Sequence, residues 1–257
     1  MKHTIAVSTL ALFLMAGCKP DAAVRKGAIV DNPQKASQNV PAPNPATLGK
    51  ISGTVHLNGK APARIAIDMS QDPACTFGPP NLTEQYIVQN GKLANVFVYV
   101  KNAPAVPVQP AMLTAAVVDQ KGCRFIPHVV AIVKGGAVEF RNSDPTMHNV
   151  HSMPVQVGNR TTDVSQGPGG KPETLHFADA ENMIPIRCNN HPWMNAFLNV
   201  SPTPFFAVSD ETGAFHINGI PQGNYTLVFV HEKLGTIEVP VTVKAGETAD
   251  TTATFSM

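Results

Sequence analysis

The sequence predicts an all-β protein. Its 23 prolines and 19 glycines interrupt the chain too often for long helices, its apolar residues recur at a period of two, and no amphipathic helical stripe is convincing. Short alternating runs mark the strands in order, over 51–57, 94–100, 137–140, 197–200 and 225–230. Turn residues punctuate them at Asn58 and Gly59, Asn90 and Gly91, Lys134 to Gly136, and Asn218 and Gly219, where glycine suits tight reversals. A chain of 257 residues has room for one large domain or two small ones, each with its own core.

The chain opens with a segment that belongs to neither core. Lys2 and His3 precede an apolar run over 5–16, too short to span a bilayer and suited to the hydrophobic region of a secretory signal. Leu14, Met15, Ala16, Gly17 and Cys18 resemble a bacterial lipobox, with Met15 where leucine is usual. That resemblance implies a lipoprotein signal peptide over 1–17 and lipidation of Cys18; an ordinary signal peptide cut nearby is the plainer alternative. Acyl chains hold a protein at a membrane without a spanning helix, and Lys19 after the cysteine resembles the pattern sorted to an outer membrane. The expected location is the periplasmic side of a bacterial outer membrane. Residues 18–48 are rich in Pro, Ala, Asn and Gln with little apolar periodicity, the composition of a disordered tether.

Charge excludes one class of partner. Lys and Arg number 19 and Asp and Glu 18; removing the signal takes Lys2 alone, leaving 18 of each and a formal charge of zero. With no basic stripe and no nucleic-acid motif, no nucleic-acid partner is expected. No catalytic triad or carboxylate pair in a recognisable motif is visible, so the chain is not expected to be an enzyme.

The chemistry is concentrated at His148 and at Cys188, His191 and Met194. One thiolate, two imidazoles and one thioether form a donor set that suits copper in both oxidation states, with the thioether as the weak axial donor of an electron-transfer site. Taken singly, a buried Cys or Met is usually packing. The joint spacing, two residues between Cys188 and His191 and two between His191 and Met194, singles them out. One copper ion, cycling between Cu+ and Cu2+, is the expected cofactor. Zinc held by His148, His151, Cys188 and His191 is the rival, but residues three apart on an extended strand face opposite sides. His128, His176 and His231 have no partner at ligand spacing and default to surface or supporting roles. Met147, Met153 and Met183 default to packing.

Around these donors, Phe125 and Pro127 ahead of a strand, Gly135 and Gly136 before Val138 and Phe140, and Asn142 and Asp144 ahead of His148 make the stretch 117–200 resemble the cupredoxin family. The short ligand loop looks most like its amicyanin and plastocyanin branch. The resemblance implies a Greek-key β-sandwich in which Cys188 is the covalent thiolate, His148 and His191 are equatorial, Met194 is axial, and Asn149 ties the two ligand loops together. It further implies that His191 sits nearest solvent, and that Pro145, Met147, Pro192 and Trp193 rim a docking surface for a partner. Trp193 reads equally as a core residue of the loop.

A second resemblance lies in 210–227, where Gly213, Gly219 and Gly223 set turns and Phe215, Ile217, Tyr225 and Leu227 share a face. It is similar to the carboxypeptidase regulatory-like family of small transthyretin-like β-sandwiches. The first elements usual in that family stand far upstream here, as Gly53, Thr54 and Val55 and as Ala94, Val96 and Val98. A sandwich split over 49–106 and 203–257, with the cupredoxin inserted over 107–202, accounts for this. Two consecutive domains, with 49–202 wholly in the copper module, is the rival arrangement.

These resemblances imply an exported, lipid-anchored blue-copper protein that carries single electrons between redox proteins, such as a c-type cytochrome or an oxidoreductase. Copper delivery or storage by the same ligands, and a surface binding module with a structural metal, are the alternatives. With Cys18 assigned to lipid and Cys188 to metal, Cys75 and Cys123 are left to pair as a disulfide in an oxidising compartment.

Overall fold

The computed structural model describes residues 42–257; the signal segment, Cys18 and the tether up to 41 lie outside the described residues. Four strands come first: β1 (Leu48–Asn58), β2 (Val88–Gln89), β3 (Lys92–Leu93) and β4 (Phe97–Val100). Nine follow: β5 (Ala116–Gln120), β6 (Phe125–Ile126), β7 (Val129–Val133), β8 (Ala137–Asn142), β9 (His148–Ser152), β10 (Thr162–Gln166), β11 (Glu173–His176), β12 (Glu181–Arg187) and β13 (Asn195–Ser201). Five close the chain: β14 (Phe206–Val208), β15 (Ala214–Pro221), β16 (Gly223–His231), β17 (Gly235–Val243) and β18 (Thr248–Ser256). The described residues contain no α-helix, only 3-10 turns at Pro45–Thr47, Pro73–Cys75 and Pro110–Leu113. Each starts at a proline, whose fixed φ and missing N–H fit a first helical position. No helix among the described residues is long and apolar enough to cross a membrane.

The strands form four sheets. In the first, β1 is central: it runs antiparallel to β15 and parallel to β18, and it also pairs with β3. In the second, the order is β14-β4-β16-β17. Both sheets thus mix strands from the two ends of the described chain. They share one core, with Ile51, Val55, Phe215 and Phe255 from the first sheet against Val98, Leu227, Phe229 and Val243 from the second. Strands β5 to β13 make the other two sheets, β10-β9-β12-β13-β7 and β11-β8-β5-β6. Their core joins Val150, Ile184, Ile186 and Leu198 to Val118, Phe125, Val138 and Phe140. Burial of alternate side chains on both inner faces is what drives such layers together. A third cluster, in which Phe97, Val228 and Val230 pack with Ala131 and Met183, joins the two cores.

Three details depart from the sequence reading. The tether ends before 48: Asn44 caps the turn Pro45–Thr47 by accepting the Ala46 N–H at 3.0 Å, and Leu48 already belongs to β1. Asn218 and Gly219 are not a turn but lie inside β15, where Gly219 takes φ +71° and the register against β1 shifts between Gly49 and Lys50, as at a bulge. Residues 59–87, counted with the first flank, form a strap from β1 to β2 that lies on the other core. Met69 and Cys75 are buried there, with Ile67 packed against them. A disulfide between Cys75 and Cys123, with Cα atoms 5.6 Å apart, fastens the strap.

Of the three histidines without a partner at ligand spacing, His128 and His231 are buried, with 6% and 3% exposure, and His176 is exposed. His128 lies between the two halves, its Nε2 2.6 Å from Glu232 Oε1 and its Nδ1 3.2 Å from the Asn195 carbonyl. A partly apolar ring and a paired carboxylate can be buried together, because each satisfies the other.

Candidate metal centre

His148 opens β9, Cys188 directly follows β12, and Met194 directly precedes β13. Strands β9 and β12 pair antiparallel, Arg187 opposite His151 and Ile186 opposite Ser152, so the sheet itself carries Cys188 to the start of β9. The loop between β12 and β13 is closed by two main-chain bonds: Met194 donates to the His191 carbonyl at 2.9 Å, and Cys188 donates to the Met194 carbonyl at 3.3 Å. The result brings ring nitrogens of His148 and His191 and the Cys188 sulfur within 4.8 Å of one another. The two Nδ1 atoms stand 2.9 Å apart, and His191 Nδ1 is 3.6 Å from Cys188 Sγ. All three residues are buried, and Met194 is 1% exposed and shares a core with Cys188.

The outward nitrogens of both rings meet carboxylates. His148 Nε2 is 2.8 Å from Asp144 Oδ2, which also accepts the Cys123 N–H at 2.7 Å, while Asp144 Oδ1 accepts the Gly122 N–H at 2.6 Å. His191 Nε2 is 3.0 Å from Asp72 Oδ2, and Thr146 Oγ1 donates to the same oxygen at 2.8 Å. A carboxylate behind an imidazole fixes its tautomer and leaves the other nitrogen free to ligate. The disulfide lies against both pairs. Cys75 sulfur is within 4.8 Å of Asp72 and His191, and Cys123 sulfur is within 4.8 Å of Asp144 and His148.

Electrostatics follow from these contacts. Burial opposes charge on His148, but the bonds to Asp144 and Cys188 outweigh it and raise the ring's pKa to about 9. Burial also opposes a thiolate at Cys188. The bond from His148 and the N–H groups of Asn149, Asn190 and His191 outweigh that and lower its pKa. Asp144 is lowered likewise, its burial offset by His148 and by the N–H groups of Cys123 and Gly122. A sulfur surrounded by donors is prepared to be a thiolate, the form that binds metal.

The remaining singled-out residues fall in several places. Asn149 donates its main-chain N–H to Cys188 Sγ at 3.3 Å, and its side-chain oxygen accepts the Asn189 N–H at 3.2 Å. Pro145, Met147 and Pro192 are exposed and Trp193 is half-buried. The indole packs on the core and lies 5.0 Å from the His191 ring. His151 turns aside to Asn189 Oδ1 at 3.0 Å and stands outside the cluster. His191, expected nearest solvent, is 3% exposed against 0% for His148 and 1% for Met194, and the strap lays Asp72 across its outer edge.

Two supporting residues had little signal in the sequence. Asp144 was visible only as a neighbour of the first ligand, which it meets at 2.8 Å. Asp72 carries no motif. The only pointer is that Asp72 and Pro73 open the turn that ends at the disulfide's Cys75.

No protein-family model matches the chain, and no curated protein does. Solved structures similar to part of it include a Cu-containing nitrite reductase from Thermus scotoductus SA-01, at 23% identity over 39% of this chain with a TM-score of 0.31. The chain spans only 25% of that reductase's length. A reduced Cu(I) form of an amicyanin variant is 20% identical over 40% of this chain and 97% of its own, with a TM-score of 0.31. A purple cupredoxin from Nitrosopumilus maritimus is 19% identical over 34% of this chain and 99% of its own, with a TM-score of 0.28.

Proposed function

We propose that this chain is an exported type 1 copper protein that carries single electrons between redox partners. The observation that carries the reading is the convergence of two imidazole Nδ1 atoms and the Cys188 sulfur in one buried place, at 2.9 and 3.6 Å. One soft sulfur with two imidazoles, and Met194 adjacent, fits copper better than a hard cation, and His151 does not complete a zinc set. Copper bound there supplies a one-electron couple between Cu+ and Cu2+.

The chain's own residues do the rest. Cys188, His148 and His191 hold the ion, with Met194 as the weak fourth donor. Asp144 and Asp72 orient the two rings, and the N–H of Asn149 steadies the sulfur. Burial keeps water away, and a site with four protein donors leaves no open position for substrate, which favours a carrier over an enzyme. Exposed Pro145, Met147 and Pro192, with Trp193 behind them, are the rim at which a redox protein such as a c-type cytochrome would dock. We read 49–106 and 203–257 as one carboxypeptidase regulatory-like sandwich around an inserted cupredoxin, and Cys18 as a lipid anchor on the periplasmic side of an outer membrane.

Optical and paramagnetic resonance spectroscopy of the copper-loaded mature protein tests the reading. Intense visible absorption, lost in Cys188→Ser and altered in His148→Ala and Met194→Ala, is the expected outcome. Unchanged spectra in all three variants would refute the assigned ligands.

A further inference from the structure

Asp72 reaches the ligand cluster from outside it. It sits on the strap 59–87, which leaves β1 of one sandwich and returns to β2 of the same one after crossing the other core. Its place there is held from several sides. Its Oδ1 accepts the Ala74 N–H at 2.9 Å, its carbonyl accepts the Cys75 N–H at 2.9 Å, and Thr146 Oγ1 donates to its Oδ2. Beyond it, the disulfide to Cys123 and the bond from Asn81 Nδ2 to the Gly122 carbonyl at 2.6 Å tie the strap down to one short segment. A side chain fixed this way is not a chance surface contact. Its Oδ2 faces His191 Nε2 at 3.0 Å.

We infer that Asp72 is a positioning residue for the metal centre. It holds His191 with its ring hydrogen on Nε2, leaves Nδ1 for the ion, and covers the ring edge by which small ligands would otherwise enter. The flanking sandwich is then a working part of the site rather than only a spacer. This inference rests on the copper reading for its consequence but not for its geometry, which concerns the metal-free ring.

The test follows that division. In the metal-free mature protein, histidine ring nitrogen NMR should show His191 in one tautomer with its hydrogen on Nε2 and exchanging slowly. Asp72→Ala should speed that exchange at least tenfold and mix the tautomers, while Asp72→Asn, whose amide oxygen still accepts, should keep the tautomer. In the copper-loaded protein, azide should perturb the absorption of Asp72→Ala at a concentration at least tenfold lower than for the unaltered chain. Thr146→Val, which loosens Asp72 without removing it, should fall between the two and serves if Asp72→Ala does not fold. An unchanged tautomer and exchange rate in a folded Asp72→Ala or Thr146→Val protein overturns the inference, as does an unchanged azide response. If the unaltered chain binds no copper, the electron-carrier reading fails alone, and the ring measurement still decides the role of Asp72.

Discussion

Asn149 binds Cys188 and its neighbour at once: its main-chain N–H points at the sulfur at 3.3 Å, and its side-chain oxygen holds the Asn189 N–H at 3.2 Å. One residue therefore fixes both the ligand atom and the first peptide of the ligand loop. Its side-chain amide also bonds Asp163 Oδ1 at 2.5 Å. Asn149→Ala keeps the N–H to sulfur but removes these bonds to the exposed Asn189 and Asp163, at a cost of about 1 kcal/mol. Denaturant unfolding of the metal-free variant should show that loss, with the copper spectrum of the loaded protein retaining its visible band. A stability equal to that of the unaltered chain would mean that water replaces both bonds without loss.

The disulfide closes a separation of 48 residues, and a loop of that size is stabilised by about 2–4 kcal/mol when its native geometry is relaxed. Cys75→Ser with Cys123→Ser should lower unfolding free energy by that amount. It should also raise hydrogen exchange at Ala74, Cys75 and Gly122, whose N–H groups serve the two carboxylate-bearing segments. Exchange unchanged at these amides would show that the strap holds without the bond.

His231 predicts a pH dependence. Burial holds the ring neutral and lowers its pKa from 6.5 to about 4, overcoming the nearby Glu232 charge. Its Nδ1 accepts the N–H groups of Lys233 at 3.2 Å and Leu234 at 3.3 Å, which only an unprotonated nitrogen can do. In the unfolded chain the ring takes a proton near pH 6.5, so its contribution is complete above that pH and is lost as pH falls to about 4, to a total of about 3 kcal/mol. Asp144 and Asp72, both lowered, act in the same direction further into acid. His231→Asn, which still accepts but does not titrate, should flatten the stability curve between pH 6.5 and 4. Parallel curves would contradict this.

Gly53 is a close approach rather than a flexible joint. A methyl group there would press on the Thr251 carbonyl and lie 2.7 Å from the Phe215 ring, both from the far end of the chain. Gly53→Ala should therefore destabilise by about 1–3 kcal/mol or more, the usual cost of overpacking a filled core, measurable as a lower melting temperature.

The all-β class was legible because alternation is local: Ile51, Val55 and Leu57 can be read as a buried face without knowing their partners. Asn90 and Gly91 were legible as a turn for the same reason, and both take positive φ, 52° and 74°. Asn218 and Gly219 misled, since a bulge and a turn ask the same left-handed conformation of glycine and differ only in whether pairing resumes. At the site, Cys188, His191 and Met194 were conspicuous because one loop carries them. The burial of His191 was not, because the residue that covers it lies 119 positions away. For His128 and His231 the choice between a surface and a supporting role was open for a related reason, their surroundings being built by elements distant in sequence.

Copper-edge X-ray absorption of the loaded mature protein tests most directly whether Cys188, His148 and His191 share one ion. The account predicts a single copper with one sulfur and two imidazole nitrogens as its near neighbours, the sulfur vanishing in Cys188→Ser and one imidazole in His148→Ala. A copper environment without sulfur, or one that neither substitution changes, would contradict it.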